Sequence, residues 1–437
     1  MLRSQWSSKI GFILASTGAT VGLGSIWKFP YVTAMNGGGA FLIVFLLIIF
    51  TLGISLLFAE IAIGRAAGCG AVGAYRSLGG KKWSFIGYMG VLCGFIVLSF
   101  YSVIGGWTIG YLMRAIDGRV MTNNSKQLAS LFNEYVSHPY EPILTHGLFV
   151  SLTLLIVIFG IQKGIERASK ILMPALFILM LILIIRSVTL PGAMAGVRSL
   201  LSPDFSKVTA PMIVDALGLA FFSLSVGAGC MLAYGSYLSK DTKLTNAIIW
   251  ITSLTMLTSV LAGLMIFPAV ASFGLDPASG PGLTYMTMPI VFNHLPFGQF
   301  FAISFFSLLL VASLTSAVSL LELIIIYPID EWKLKRKSVT FTACALVFLV
   351  GIPASLSFGI LSEYKMFGRN IFDLMDYSAT NILLPIGGIG TALFTGWKIW
   401  PLIEDELVYS PKLSLGMKWI CRVIAPLLIA FILIYNI

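Results

Sequence analysis

Two glycine-rich runs, Gly18-Ala19-Thr20-Val21-Gly22-Leu23-Gly24-Ser25 and Phe222-Ser223-Leu224-Ser225-Val226-Gly227-Ala228-Gly229, each interrupt an apolar segment of the chain. In a bilayer an unwound backbone leaves N–H and C=O groups without partners at several kcal/mol each, so it persists only where protein, ions or a polar ligand complete it. Free amides at a half-helix amino terminus attract a carboxylate, and free carbonyls with Ser and Thr hydroxyls attract an ammonium or a hard cation. In the first run the N–H groups of Leu23 and Gly24 are the candidate carboxylate donors. Small residues also let helices pack closely, which is the ordinary meaning of one such run. Two, in corresponding segments of two halves, point to a substrate and ion site at the membrane midplane.

The elements that must hold these runs are membrane helices. Of the 437 residues 58% are hydrophobic and only 11% charged, with a mean hydropathy of +0.95, whereas about a quarter of a soluble domain is charged. The chain therefore reads as an integral membrane protein whose surroundings are a lipid bilayer. Its first apolar segment follows Arg3 and Lys9, lacks a small-residue cleavage site and runs on into another apolar stretch, so it is expected to stay in the mature chain. The net charge of +10 is distributed by membrane side and not gathered into one basic face with interleaved aromatics, which argues against nucleic acid as a partner. Cys69, Cys93, Cys230, Cys344 and Cys421 are scattered without a CxxC, and His138, His146 and His294 have no metal-ligand spacing, so neither a disulfide framework nor a zinc site is indicated. No HExxH, GxSxG or P-loop is present, and the chain is not read as an enzyme.

About 20 apolar residues cross a bilayer, and about eleven such spans lie near 11–33, 39–63, 84–115, 143–161, 167–187, 212–238, 245–273, 297–328, 339–358, 371–397 and 417–436. Alternate connections are basic: Arg65, Arg76, Lys81 and Lys82; Lys163, Arg167 and Lys170; Lys240 and Lys243; Lys333, Lys335, Arg336 and Lys337. The positive-inside rule makes these cytoplasmic, with the amino terminus inside and, for an odd number of spans, the carboxyl terminus outside. The connections 116–142, 188–211 and 274–296 then face out. The last carries Asp276-Pro277, Ser279-Gly280-Pro281-Gly282 and His294-Leu295-Pro296 turn signals and is positioned to cover an outer vestibule. The expected fold is a single all-α transmembrane domain of about eleven helices. Helices one to five (about 11–187) and six to ten (about 212–397) form inverted repeats, the first and sixth are discontinuous, and an extra helix spans about 417–436.

Several stretches resemble the neurotransmitter:sodium symporter family. They are Trp6 to Pro30 with its ending Val21-Gly22-Leu23-Gly24-Ser25-Ile26-Trp27-Lys28-Phe29-Pro30, Asn36-Gly37-Gly38-Gly39-Ala40-Phe41, Glu60-Ile61-Ala62-Ile63-Gly64-Arg65, Lys163-Gly164-Ile165-Glu166-Arg167, Ala220-Phe221-Phe222-Ser223-Leu224-Ser225-Val226-Gly227, and Ser313-Leu314-Thr315-Ser316. The likeness spans nearly the whole chain in order. The short loops are similar to those of the prokaryotic amino-acid branch, which implies a leucine-transporter-type fold and residence in a prokaryotic plasma membrane.

The resemblance adds the Tyr101 hydroxyl as a second carboxylate donor, and the carbonyls of Thr20, Phe222 and Ser223 with the Ser225 hydroxyl for the ammonium. Taken alone, Tyr101 reads as a core or interface aromatic. The side-chain pocket is implied at Val97, Phe222, Ala228 and Leu320. Where monoamine carriers of the family place an aspartate, this chain has Gly22, so an amine lacking its own carboxylate would leave the site incomplete. One sodium ion is implied at the carbonyls of Gly18, Val21 and Ala312 with the hydroxyls of Thr315 and Ser316. Taken alone, the Thr-Ser pair reads as back-bonding to its own helix. A second ion would use the Thr20 carbonyl, Ser25, Ser223, Thr255 and the substrate carboxylate, with Ser25 and Thr255 replacing amides common in relatives. The sodium count, one or two, stays open. So does chloride, because Phe45, Leu219, Ser223, Thr255 and Ser259 match neither the chloride-dependent pattern nor the independent one. Asp215, four residues before Leu219 and on the same helix face, either supplies charge there or is a solvated loop-end acid. Glu60 and Glu322 are buried acids by position.

For alternating access the resemblance assigns Lys28 and Asp376 to an outer gate with Tyr101 and Phe222 as lid, and Arg3 and Asp330 to an inner gate beneath Trp6 and Tyr237. Arg3 also fits plain positive-inside anchoring. Gly164 and Pro174 bracket a turn of the fifth span that either unwinds or is an ordinary proline kink. The functional expectation is a sodium-coupled symporter importing neutral, hydrophobic L-amino acids. The alternative is a transport-inactive amino-acid sensor with the same fold. The substrate's identity and the oligomeric state are not legible.

Overall fold

The structure is a computed structural model and describes residues 4–275, 283–407 and 411–436. Among the described residues it is helical throughout, without a strand. The turn signals at Asp276-Pro277 and Ser279-Gly280-Pro281-Gly282 lie outside the described residues, as does Arg3.

The first segment starts where the Ser8 hydroxyl accepts the Gly11 N–H at 3.0 Å, an N-cap for α1 (Lys9–Thr20). After Val21–Leu23 the chain resumes as α2 (Gly24–Met35), bent 54° from α1. There follow α3 (Gly39–Ala67), α4 (Ala71–Gly79), α5 (Lys81–Ile116), α6 (Ser125–Ser137), α7 (Glu141–Val157), α8 (Ile161–Val188) and α9 (Ala193–Leu201). The second half comprises α10 (Ala210–Leu224), α11 (Cys230–Gly235), α12 (Leu244–Ser272), α13 (Met288–Asn293), α14 (Gly298–Trp332), α15 (Arg336–Leu356), α16 (Ile371–Lys398), α17 (Trp400–Glu406) and α18 (Ser414–Tyr435). All eleven expected spans are occupied by helix. Eight are unbroken apolar helices, α1/α2 and α10/α11 are interrupted, and α7 follows the amphipathic α6 at a 73° bend. The connections expected to face out contain the short helices α6, α9 and α13.

Each break is narrower than its glycine-rich run because hydrogen-bonded turns reach further in. α10 continues through Phe222-Ser223-Leu224 and stops at Ser225, whose φ of 52° turns the chain left-handed and returns its N–H to the Phe222 carbonyl at 3.1 Å. Gly227 follows at φ +98° and a Cβ there would meet the Leu384 carbonyl oxygen at 2.5 Å, so conformation and space both require glycine. The unwound amides find their partner in the fully buried Glu60, whose Oε1 accepts the Gly227 N–H at 2.7 Å. The Gly229, Met231 and Leu232 amides surround the same carboxylate. A buried acid thus completes the backbone that the helix leaves open.

α1 packs against α8, α12 and α14, and α14 lies along α5, so both breaks meet at the centre of the bundle. Helix runs through Pro174 in α8, with π-helical turns over Ile161–Glu166. In this structure the Gly164–Pro174 stretch is therefore the proline-containing helix and not the unwound form.

Candidate functional site

Between the two breaks lies a cavity of ≈ 50 Å³ lined by Thr20, Gly22, Leu23 and Gly24 from the first break, Phe222, Ser225 and Ala228 from the second, Val97 and Tyr101 from α5, and Ser316 and Leu320 from α14. The fold brings together nine of the ten residues expected to bind substrate. Ser223 is the exception, buried behind the lining. Cys230 and Leu384 also line the cavity and were missed, because neither belongs to a family motif.

The cavity has a polar and an apolar end. At the first break the Leu23 N–H donates to the Tyr101 hydroxyl at 3.3 Å, and the Phe222 ring covers Gly24, where a Cβ would meet its Cδ1 and Cε1 at 2.6 Å. A Cβ on Gly22 would lie 2.9 Å from the Tyr101 hydroxyl oxygen, which leaves no room for an acidic side chain. Val97, Ala228 and Leu320 supply apolar walls, and no lining residue carries a charge. A ligand held here meets no charged side chain of the lining.

Beside the first break stands a cluster of oxygens suited to a hard cation. The Ser316 hydroxyl donates to the carbonyls of Gly18 at 3.2 Å and Ala19 at 3.3 Å, and the Thr315 hydroxyl donates back to Ala312 at 2.9 Å and Val311 at 3.2 Å. Gly18 approaches so closely that a Cβ would sit 3.0 Å from the Thr315 Cβ. A second cluster joins Thr20 and Thr255, hydroxyl to hydroxyl at 2.5 Å, with the Ser25 hydroxyl donating to the Thr20 carbonyl at 3.3 Å. The Ser223 hydroxyl is buried without a hydrogen-bond partner among the described residues. Phe45 and Leu219 are buried and apolar. Asp215 is exposed and accepts the Asn36 side-chain amide at 3.0 Å, a geometry in keeping with the solvated acid of the two readings.

Above the site Lys28, Asp376, Tyr101 and Phe222 line a wider cavity of ≈ 180 Å³. Lys28 does not pair with Asp376 within the described ion pairs, and its Nζ instead lies 5.0 Å from the Phe222 ring centroid. A lysine offers one point charge on a flexible stem, without the bidentate fork of an arginine.

The other end is tied shut. The Trp6 indole donates to the Tyr234 carbonyl at 3.1 Å and its amide to the Tyr237 carbonyl at 3.2 Å. Asp330 accepts the Gly70 N–H at 2.7 Å. The Tyr237 hydroxyl donates to Glu322 at 2.7 Å, and Arg336 pairs with the same carboxylate. Glu166, nearly fully buried, accepts from the Ser7 amide at 2.8 Å, the Ser7 hydroxyl at 2.6 Å and the Ser8 hydroxyl at 2.8 Å, and pairs with Lys170 at 2.7 Å. Glu166–Lys170 is an i,i+4 pair on one helix, whereas the Glu322–Arg336 pair and the hold of Glu166 on Ser7 and Ser8 join residues with no sequence pattern between them, and only folding reveals them.

The description "Sodium:neurotransmitter symporter family" matches residues 3–127 and 127–437. YhdH, a sodium-dependent transporter of Bacillus subtilis, is 43% identical over 396 residues, covering 90% of this chain and 88% of the relative. A sodium-dependent transporter of Haemophilus influenzae is 37% identical over 449 residues, covering 99% and 98%. The crystal structure of MhsT in complex with L-phenylalanine matches with a TM-score of 0.92 at 41% identity over 100% of both chains. With its paired helix breaks and these likenesses, the chain belongs to the sodium:neurotransmitter symporter family.

Proposed function

We propose that this sodium-dependent membrane transporter is a symporter importing a neutral, hydrophobic L-amino acid. The observation that carries the reading is the uncharged cavity between the breaks, with the Leu23 and Gly24 amides and the Tyr101 hydroxyl at one end and Val97, Ala228 and Leu320 at the other. A zwitterion suits it: the carboxylate takes the Leu23 and Gly24 amides and Tyr101, and the ammonium takes the carbonyls of Thr20, Phe222 and Ser223 with the Ser225 hydroxyl. L-phenylalanine bound to MhsT, 41% identical to this chain, supports a large apolar side chain.

Sodium is the co-transported ion. One ion fits the Gly18, Val21 and Ala312 carbonyls with Thr315 and Ser316, and a second fits Thr20, Ser25, Ser223 and Thr255 with the substrate carboxylate. An ion moving down 100 mV gains about 2.3 kcal/mol, and a tenfold gradient adds about 1.4 kcal/mol. One ion then sustains a zwitterion gradient of a few hundredfold and two about 10⁵-fold. Inward movement closes Lys28 and Asp376 above the bound substrate and releases the ties below it. A thermal-shift comparison of L-amino acids tests the specificity. Large apolar ones should stabilise the purified protein in sodium and not in potassium, and stabilisation by glycine alone would overturn the reading.

A further inference from the structure

A further, larger cavity of ≈ 660 Å³ lies away from the substrate site, between α5, α14 and α15. Its walls include Phe95, Ile324, Pro328, Val339 and Leu346, and its mouth carries Lys333 and Lys335. α14 ends at Trp332, Lys333 turns the chain with φ 55°, and α15 begins at Arg336. The cavity therefore starts at the turn between two spans and climbs along both. From Lys335 to Leu346 a helix rises about 16 Å at about 1.5 Å per residue, close to half of a hydrocarbon core about 30 Å thick. One end is thus at the basic membrane face and the other near the midplane, the depth of one leaflet. Trp332 and Leu346 on its rim are 62% and 48% exposed, so the cavity opens sideways to lipid.

The charges at the mouth are uncommitted. Glu331 pairs with Arg76 and Glu322 with Arg336, and no carboxylate among the described ion pairs joins Lys333 or Lys335. Tyr327 and Trp332 stand edge to face at 5.3 Å beside them, at the level where amphipathic aromatics meet headgroups. Acyl chains gain little on leaving other chains for an apolar wall, so selectivity must come from the headgroup.

We infer that this groove binds one anionic phospholipid of the leaflet facing the lysine-rich loops, with an acyl chain along Phe95, Ile324 and Leu346 and its phosphate between Lys333 and Lys335. The inference rests on the membrane placement of α14 and α15 and is independent of the substrate.

The test is native mass spectrometry of the full chain released from detergent after titration with phosphatidylglycerol or phosphatidylcholine. The wild type should retain one phosphatidylglycerol in preference to phosphatidylcholine. Each lysine near a membrane surface contributes about fivefold in affinity, so Lys333→Ala with Lys335→Ala should cost about thirtyfold, and the paired arginine variants should retain binding. Thr342→Trp, at an exposed groove position, should expel the chain of either lipid. Lys81→Ala with Lys82→Ala removes equal charge outside the groove and should change binding by less than about threefold. Equal retention of both lipids by the wild type, equal losses from the two lysine pairs, undiminished binding in Thr342→Trp, or a dimer that covers the groove without lipid would each overturn the inference. A matching melting temperature confirms that each variant is folded.

Discussion

Tyr101→Phe removes one oxygen from the centre of the site and leaves the ring in place. Tyr101 is 4% exposed, and its hydroxyl accepts the Leu23 N–H at 3.3 Å at the start of α2. With substrate bound, that amide and that hydroxyl both turn to the carboxylate, so the substitution deletes a charge-assisted hydrogen bond worth about 1.5–3 kcal/mol. Affinity should fall roughly tenfold to 150-fold. Isothermal titration with a large apolar amino acid at saturating sodium measures the loss. An amine analogue lacking the carboxylate gives the control: it should bind wild type and variant equally weakly, because its missing group is the partner of the missing hydroxyl. The substrate-free variant also loses the acceptor for Leu23, so its melting temperature reports that separate cost. Affinity for the amino acid within twofold of wild type would refute the placement of the carboxylate.

Ser316→Ala, which removes the hydroxyl now bonded to Gly18 and Ala19, should raise the half-saturating sodium concentration in a binding assay several-fold, and Thr315→Ala should do the same. Ala228→Phe fills a packed wall and should cost about 1–3 kcal/mol for a bulky amino acid while sparing alanine, read as the ratio of the two affinities. Gly22→Asp collides with Ser316 and Tyr101 and should abolish amino-acid binding, as equilibrium dialysis would reveal. Glu60→Ala strands the Gly227 amide and should lower stability by about 1–3 kcal/mol, visible as a lower melting temperature.

The spans were legible because an apolar stretch about 20 residues long has few alternatives to a membrane helix. The positions of the breaks were legible from Gly22 and Gly227, but their edges were not: helical hydrogen bonding carries α1 to Thr20 and α10 to Leu224 before the backbone runs out of partners. Thr20 meets Thr255 across 235 positions, and only the family resemblance anticipated their proximity. Glu322 was recognised as a buried acid, yet its partners Tyr237 and Arg336 come from different segments. Glu166 was visible inside a motif, but its hold on Ser7 and Ser8 depends on how the amino-terminal segment folds back onto α8. Such contacts are products of packing, to which local sequence is blind.

The central claim is coupling, and uptake into sealed proteoliposomes tests it most directly. Purified protein, loaded with potassium inside and given an inward sodium gradient, should accumulate radiolabelled L-phenylalanine above its external concentration and release it when a sodium ionophore collapses the gradient. Binding of the amino acid without any sodium-driven accumulation would contradict the account and leave the sensor reading in its place.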